Sequence, residues 1–257
     1  MRIERKVGAI IVGLGSLLLV MGGAVPALAG NGPVAAFSHV TGIRFVGAAN
    51  ATSTAFGGWV FGVKAAKSVT AEFKVPTLKC TSATRGILPF AALQSGSANS
   101  PKTSAGGVLL VCQGGSPAAA ATVIVNNTET NDTTHALHAG DLMKATVTIS
   151  ATKTTATIAD LTVGHTFKFT KSGTGGTAID EAIIDDSLVN TSNNQQLPVA
   201  NFGKISYSKA AVGGKAIGTV TPRTADNMKT SAGVLQILTG AITGTAKNAF
   251  PTTFKHA

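Results

Sequence analysis

Apolar and polar residues alternate with a period of two along most of this chain. The pattern is clean in "SVTAEFKV" (68–75), "LMKATVTIS" (142–150), "TATIADL" (155–161), "HTFKFT" (165–170) and "FGKISYS" (202–208). Alternation puts successive side chains on opposite faces of an extended strand, so each segment predicts a half-buried β-strand. Two runs, "GGVLLVC" (106–112) and "TVIVN" (122–126), are apolar on both faces, as strands sandwiched between layers are. Helical periodicity is almost absent. Clusters at 172–176, 190–195 and 212–215, rich in Gly, Asn and Ser, punctuate the strands at short spacing. Short strands broken up this way predict an all-β, two-sheet antiparallel sandwich. The stretches 95–107 and 190–196 are expected as mobile loops.

The N-terminus departs from the pattern. Arg2, Arg5 and Lys6 precede an apolar run from Val7 to about Val25, and Ala27-Leu28-Ala29 closes it. A basic start, an apolar middle and a small-x-small end predict a secretory signal peptide over 1–29, cleaved after Ala29. The expected organisation is therefore a signal peptide, an N-terminal extension over 30–54 and a β-sandwich over 55–257. No second long apolar stretch follows, so no transmembrane segment is expected in the exported chain.

Charge and cysteine content narrow the chemistry. The formal net charge is +10. Cleavage would remove Arg2, Glu4, Arg5 and Lys6, a net +2, and leave +8. The cations are scattered singly and aromatic residues are 5% of the chain. Nucleic-acid binding, which needs a basic patch and stacking platforms, is not expected, whereas long-range attraction to anionic wall polymers is. Cys80 and Cys112 predict a disulfide in an exported chain. No metal site and no cofactor are expected. His135 and His138 are three apart, which on a strand puts them on opposite faces.

The acids concentrate in one place. "GTAIDEAIIDDSL" (176–188) holds Asp180, Glu181, Asp185 and Asp186. Alternation assigns Glu181, Ile183 and Asp185 to one face, and Ala182, Ile184 and Asp186 to the other. Asp180 and Asp186 read as surface residues. Asp185 reads as an acid–base group, as a solvated strand-end carboxylate, or as one paired with a Lys.

Several segments, in order, resemble the glutamic peptidase (eqolisin) family of secreted acid peptidases. They are "AFGGWVFG" (55–62), "VTAEFKVPTLKCTS" (69–82), "CQGGSP" (112–117), "AGDLMKATVTI" (139–149), "LTVGHTF" (161–167), "IDEAIIDD" (179–186), "LPVANFGKISYS" (197–208) and the closing "TTFKHA". The resemblance implies a concanavalin A-like sandwich, or jelly roll. It also implies chemistry resting on one Glu and one Gln on neighbouring strands. The Glu activates water and then protonates the leaving amine, and the Gln amide stabilises the oxyanion, beside a Trp-rich peptide cleft.

The family pattern is only partly kept. The motif Ala-Glu-aromatic-Ile-Val-Glu reads here from Asp180 to Asp185. The resemblance thus gives Asp185 the catalytic position, one methylene short, with Glu181 in support. The family Gln falls on Ala105, or on Leu110 in a second register, and neither side chain can donate a hydrogen bond. Cleft positions fall on Phe56, Trp59, Phe90, Gln94 and Ile124, where large rings are mostly lost. Losing one oxyanion donor costs about 100- to 1,000-fold in turnover. The sequence therefore predicts a non-catalytic exported binding or envelope-associated domain. The alternatives are a divergent acid endopeptidase using Asp185 with Glu181 or Gln94, and a carbohydrate-binding, lectin-like domain. The expected ligand is a peptide or a polysaccharide. The sequence does not give the oligomeric state.

Overall fold

The structure is a computed structural model and describes residues 37–39, 51–97, 100–172, 179–193 and 195–257. The expected signal peptide lies outside the described residues. The strands are β1 (Phe37–His39), β2 (Ala51–Ser53), β3 (Phe56–Gly62), β4 (Ser68–Lys74), β5 (Arg85–Ser97), β6 (Ser100–Gln113), β7 (Ser116–Val125), β8 (Thr128–Asn131) and β9 (Leu142–Ile149). They continue with β10 (Lys153–Asp160), β11 (His165–Ser172), β12 (Ile179–Ser187), β13 (Val189–Thr191), β14 (Lys204–Val212), β15 (Lys215–Ala216), β16 (Arg223–Lys229), β17 (Leu235–Thr239) and β18 (Phe250–Phe254).

Hydrogen bonding runs in the order β11-β10-β9-β4-β14-β18-β17-β16-β3-β12-β5-β6-β7-β8. This continuous ribbon doubles over at β14. The first half of β14 pairs with β18, and its second half pairs with β4. The register shifts between Ser208 and Ala211, where Lys209 takes a positive φ of 46°. Such a bulge sharpens local twist and lets one strand turn a corner between layers. The result is the all-β sandwich that the alternation predicts. The smaller sheet, β11-β10-β9-β4 with the end of β14, covers one face of the larger.

Alternation decides what is buried. Ala71, Phe73, Met143, Val147 and Ile158 of the smaller sheet meet Leu93, Val108, Leu110 and Val123 of the larger in one core. The intervening residues of the larger sheet, among them Val60, Phe90, Ala92, Leu109 and Ile183, form a second apolar cluster on its other face. That is why 106–112 and 123–125 are apolar on both faces. A fully buried Leu, Ile or Phe contributes about 1.5–3 kcal/mol.

The disulfide joins Cys80 to Cys112 across 32 residues, with Cα atoms 5.4 Å apart. A loop of this length gives about 3–4 kcal/mol in the chain-entropy account. From the expected N-terminal extension, β1 pairs with β13, and β2 joins the larger sheet parallel to β16.

One expectation is corrected. The stretch 95–107 is mostly strand: β5 runs to Ser97 and β6 starts at Ser100. Gly106 and Gly107 sit where the packing is close. A Cβ on Gly106 would lie 2.4 Å from the Thr157 carbonyl oxygen of the facing sheet, and one on Gly107 would lie 2.6 Å from the Pro89 carbonyl oxygen. Glycine is needed where backbones approach this closely.

Candidate active site

Strand β12 carries the acidic stretch and lies between β3 and β5. Its outward row places Glu181 opposite Gln94 of β5, and Gln94 in turn is opposite Thr103 of β6. Directly opposed residues have Cβ atoms about 4.5–5.5 Å apart. Glu181 and Gln94 are 6% and 4% exposed. The Gln94 amide nitrogen donates to the Thr103 hydroxyl at 3.0 Å, which fixes the side chain across the strands. A carboxylate and a primary amide therefore stand side by side on neighbouring strands.

The next outward row is Val60–Ile183–Ala92–Ala105–Ile124. Ala105, the position of the missing Gln, lies in this apolar row. Phe56 and Phe90 lie on the same face and meet edge to face, with ring centroids 6.2 Å apart. Of the expected cleft residues, Phe56, Phe90, Gln94 and Ile124 thus share one face with Glu181 and Ala105. Trp59 has the opposite parity. It packs against the inter-sheet core, and its Nε1 donates to the Gly240 carbonyl at 3.1 Å. Leu110, the second-register position, is also in the inter-sheet core.

Asp185 is elsewhere. Four residues along a strand separate it from Glu181 by about 13 Å. It is opposite Gly58 of β3, and Asp226 of β16 is opposite the same glycine. A Cβ on Gly58 would fall 2.8 Å from the Asp185 carboxyl carbon. Asp185, Asp186 and Asp226 are all 0% exposed. This corrects the reading of Asp186 as a surface residue and of Asp185 as a solvated one. Asp186 points into the core, where the Tyr207 hydroxyl bridges its Oδ1 at 2.6 Å and the Asp185 carbonyl at 2.9 Å.

Burial dominates the electrostatics of this trio. It pushes Asp185 well above the usual carboxylate range, and the charges of Asp186 and Asp226 add to the rise. The Gly57 and Asp186 backbone N–H groups offset this only in part. Burial pushes Asp186 up to about 7, against the pull of the Thr252 and Tyr207 hydroxyls, and Asp226 up to about 6. Burial holds the protons of Asp186 and Asp226 near neutrality, and like charge adds to burial at Asp185 alone.

A second group is not legible in the sequence because it joins the loop after β8 to the facing ends of β10 and β11. His135 lies between β8 and β9, not on a strand. Its Nε2 meets Asp160 Oδ2 at 3.0 Å, while His165 Nε2 meets Asp132 Oδ2 at 2.7 Å. The two imidazoles stack with centroids 4.2 Å apart. Among the described residues no cluster of three or more His, Cys, Asp or Glu has the geometry to hold a metal ion.

The model of the peptidase A4 family matches residues 54–247. The chain belongs to that family. Solved structures share its fold. Scytalido-glutamic peptidase with a transition-state analog inhibitor superposes with a TM-score of 0.64 at 15% identity, over 79% of this chain and 98% of that one. SCP-B, an eqolisin in complex with the tripeptide Ala-Ile-His, gives 0.60 at 15% identity over the same shares. Aspergilloglutamic peptidase from Aspergillus niger gives 0.55 at 18% identity, over 66% and 99%. No curated protein matches. At these identities the structures support the shared fold alone, while the family model carries the membership.

Proposed function

We propose that this peptidase A4 chain hydrolyses peptide bonds at acid pH through Glu181 and Gln94. The observation that carries the proposal is the Glu181–Gln94 pair, directly opposed on β12 and β5. The Glu181 carboxylate takes a proton from a water as the water attacks the carbonyl carbon. The Gln94 amide donates to the oxygen that gains charge. Glu181 then returns the proton to the departing amine. Gln94 thus supplies, from the strand next to β12, the amide that is missing at Ala105. Asp185, buried about 13 Å along the strand, has no part in the chemistry.

The test is digestion of a denatured protein near pH 3.5, with products identified by mass spectrometry. Glu181→Gln and Gln94→Leu should each lose about 100-fold or more, while Asp185→Asn should keep the activity. A folded wild-type chain that cleaves nothing ends this reading.

A second reading, a non-catalytic peptide-binding domain, is favoured by the composition of the same face. Ala92, Ala105, Ala118 and Ala120 line that face with small side chains, leaving Phe56 and Phe90 as its rings for gripping a substrate. Binding of a peptide with no cleavage would establish it. Under either reading residues 1–29 direct export, so N-terminal sequencing of the exported protein should begin at Gly30.

A further inference from the structure

The outward face of the smaller sheet plays no part in the proposed chemistry. Its register builds rows of hydroxyls. Ser68, Thr148, Thr155 and Thr170 form one row across β4, β9, β10 and β11. Thr70, Thr146, Thr157 and Lys168 form the next. Lys144 and Thr166 flank Ala159 in the third. The alternate residues of these strands, such as Ala71, Ala145, Val147 and Ile158, fill the core, so the hydroxyl rows face solvent. Strand spacing is about 4.8 Å, and same-face residues recur about every 6.7 Å along each strand. The hydroxyls interlock: Thr70 Oγ1 and Thr146 Oγ1 are 3.1 Å apart, and Thr155 and Thr170 Oγ1 are 3.0 Å apart. The surface is thus a held, regular grid.

Its charge has one sign. Lys74, Lys144, Lys153 and Lys168 are exposed on this face. The acid among them, Glu72, is buried and already held by Lys209 at 3.0 Å. No aromatic residue points outward from β4, β9, β10 or β11; Phe73, Phe167 and Phe169 pack against the core. Single-stranded nucleic acid binds through such stacking rings. A grid of hydroxyls with spaced ammonium groups instead matches an extended chain of sugar hydroxyls with spaced anions.

We propose that this face binds a polyanionic polysaccharide, with lysines pairing to its acid groups and Ser and Thr hydroxyls bonding to its sugar hydroxyls. The site is separate from the Glu181–Gln94 pair, so it stands whether or not the chain cleaves peptides.

The test uses the full chain and immobilised polygalacturonate, dextran sulfate, neutral dextran and single-stranded DNA, at low and at 0.5 M NaCl. Both sugar polyanions should retain the protein at low salt and release it at high salt, and neutral dextran should not retain it. Retention by polygalacturonate alone or dextran sulfate alone identifies carboxylate or sulfate as the anion and still supports the proposal. Lys144→Glu with Lys168→Glu should weaken binding about tenfold, as expected for losing and reversing two surface charge pairs. Lys229→Glu with Lys255→Glu makes the same change in net charge off this face and should shift binding less than about twofold. Equal losses in both double variants, no retention by either sugar polyanion, or DNA bound as tightly as the sugars would each overturn the proposal. Thermal melts confirm that the variants are folded. If the Lys144/Lys168 double variant does not fold, Thr157→Lys, which adds a cation to the same face, must tighten binding for the proposal to stand.

Discussion

Asp185 and Asp226 stand on opposite sides of Gly58, each in register with it, and neither carboxyl reaches solvent. With Asp186 they form a buried acid trio, and the trio sets how stability depends on pH. In the unfolded chain these groups ionise near 3.8, whereas folded Asp226 holds its proton to about 6 and Asp186 to about 7. Below pH 3.8 both states are protonated and the full contribution is present. As pH rises from there, the unfolded chain releases protons that the folded chain keeps. Stability then falls by about 1.4 kcal/mol per pH unit per group until the folded value is passed. For Asp186 alone this amounts to about 4 kcal/mol. Differential scanning calorimetry should therefore show Tm falling by roughly 10 °C between pH 4.5 and 7.5. A flat or rising Tm would contradict the assignment.

Asp186→Asn separates charge from shape. The amide oxygen can still accept from Tyr207, but nothing remains to ionise. The variant should match wild type near pH 4 and be several degrees more stable at pH 7.5. Tyr207→Phe does the opposite. It strips the hydroxyl from Asp186 Oδ1 and the Asp185 carbonyl. Leaving such buried acceptors unmet costs about 1–3 kcal/mol at every pH where the chain folds, measurable by urea titration.

The paired His and Asp residues set the acid limit. Asp132 and Asp160 are held below the usual carboxylate range, because bonds from Thr134 and His165, and from His135 and Thr162, outweigh burial. A lowered carboxylate gives stability that is present above the unfolded value and lost as pH falls through the folded one. Stability should thus peak in mildly acid solution and decline again below about pH 4. Asp132→Ala, which strands His165 and frees the N–H groups of Thr134 and His135, should cost about 3 kcal/mol and flatten the acid limb of the Tm–pH curve.

Gly106→Ala should be among the most damaging single-methyl additions. The new Cβ would sit 2.4 Å from the Thr157 carbonyl oxygen, and backbone cannot swing away as a side chain can. Overpacking of this kind costs about 1–3 kcal/mol or more. The loss should appear as a lower urea midpoint with an unchanged m-value.

Period-two alternation was enough to read the sandwich, because "LMKATVTIS" and "TATIADL" each bury one face and wet the other. The Cys80–Cys112 disulfide followed from there being two cysteines in a chain whose N-terminus reads as an export signal. What stayed hidden was distance across strands. Counting along β6 finds Ala105 where an amide is expected, yet Gln94 gains its place beside Glu181 through the β5–β12 register, which no local pattern encodes. Asp226, alone in "RTADNMK", gives no hint that it shares Gly58 with Asp185. Asp186 reads as polar surface because alternation gives parity but not which side is dry. Ser and Gly in 95–107 read as loop because close backbone approach and turns favour the same small residues.

Strand β14 has a consequence for how the molecule comes apart. Lys204–Tyr207 belongs to one layer and Ser208–Val212 to the other. Peeling either layer frees half of a strand on which the other depends, so melting of one layer propagates into its neighbour. The two layers rise and fall as a single cooperative block, with calorimetric and van't Hoff enthalpies equal.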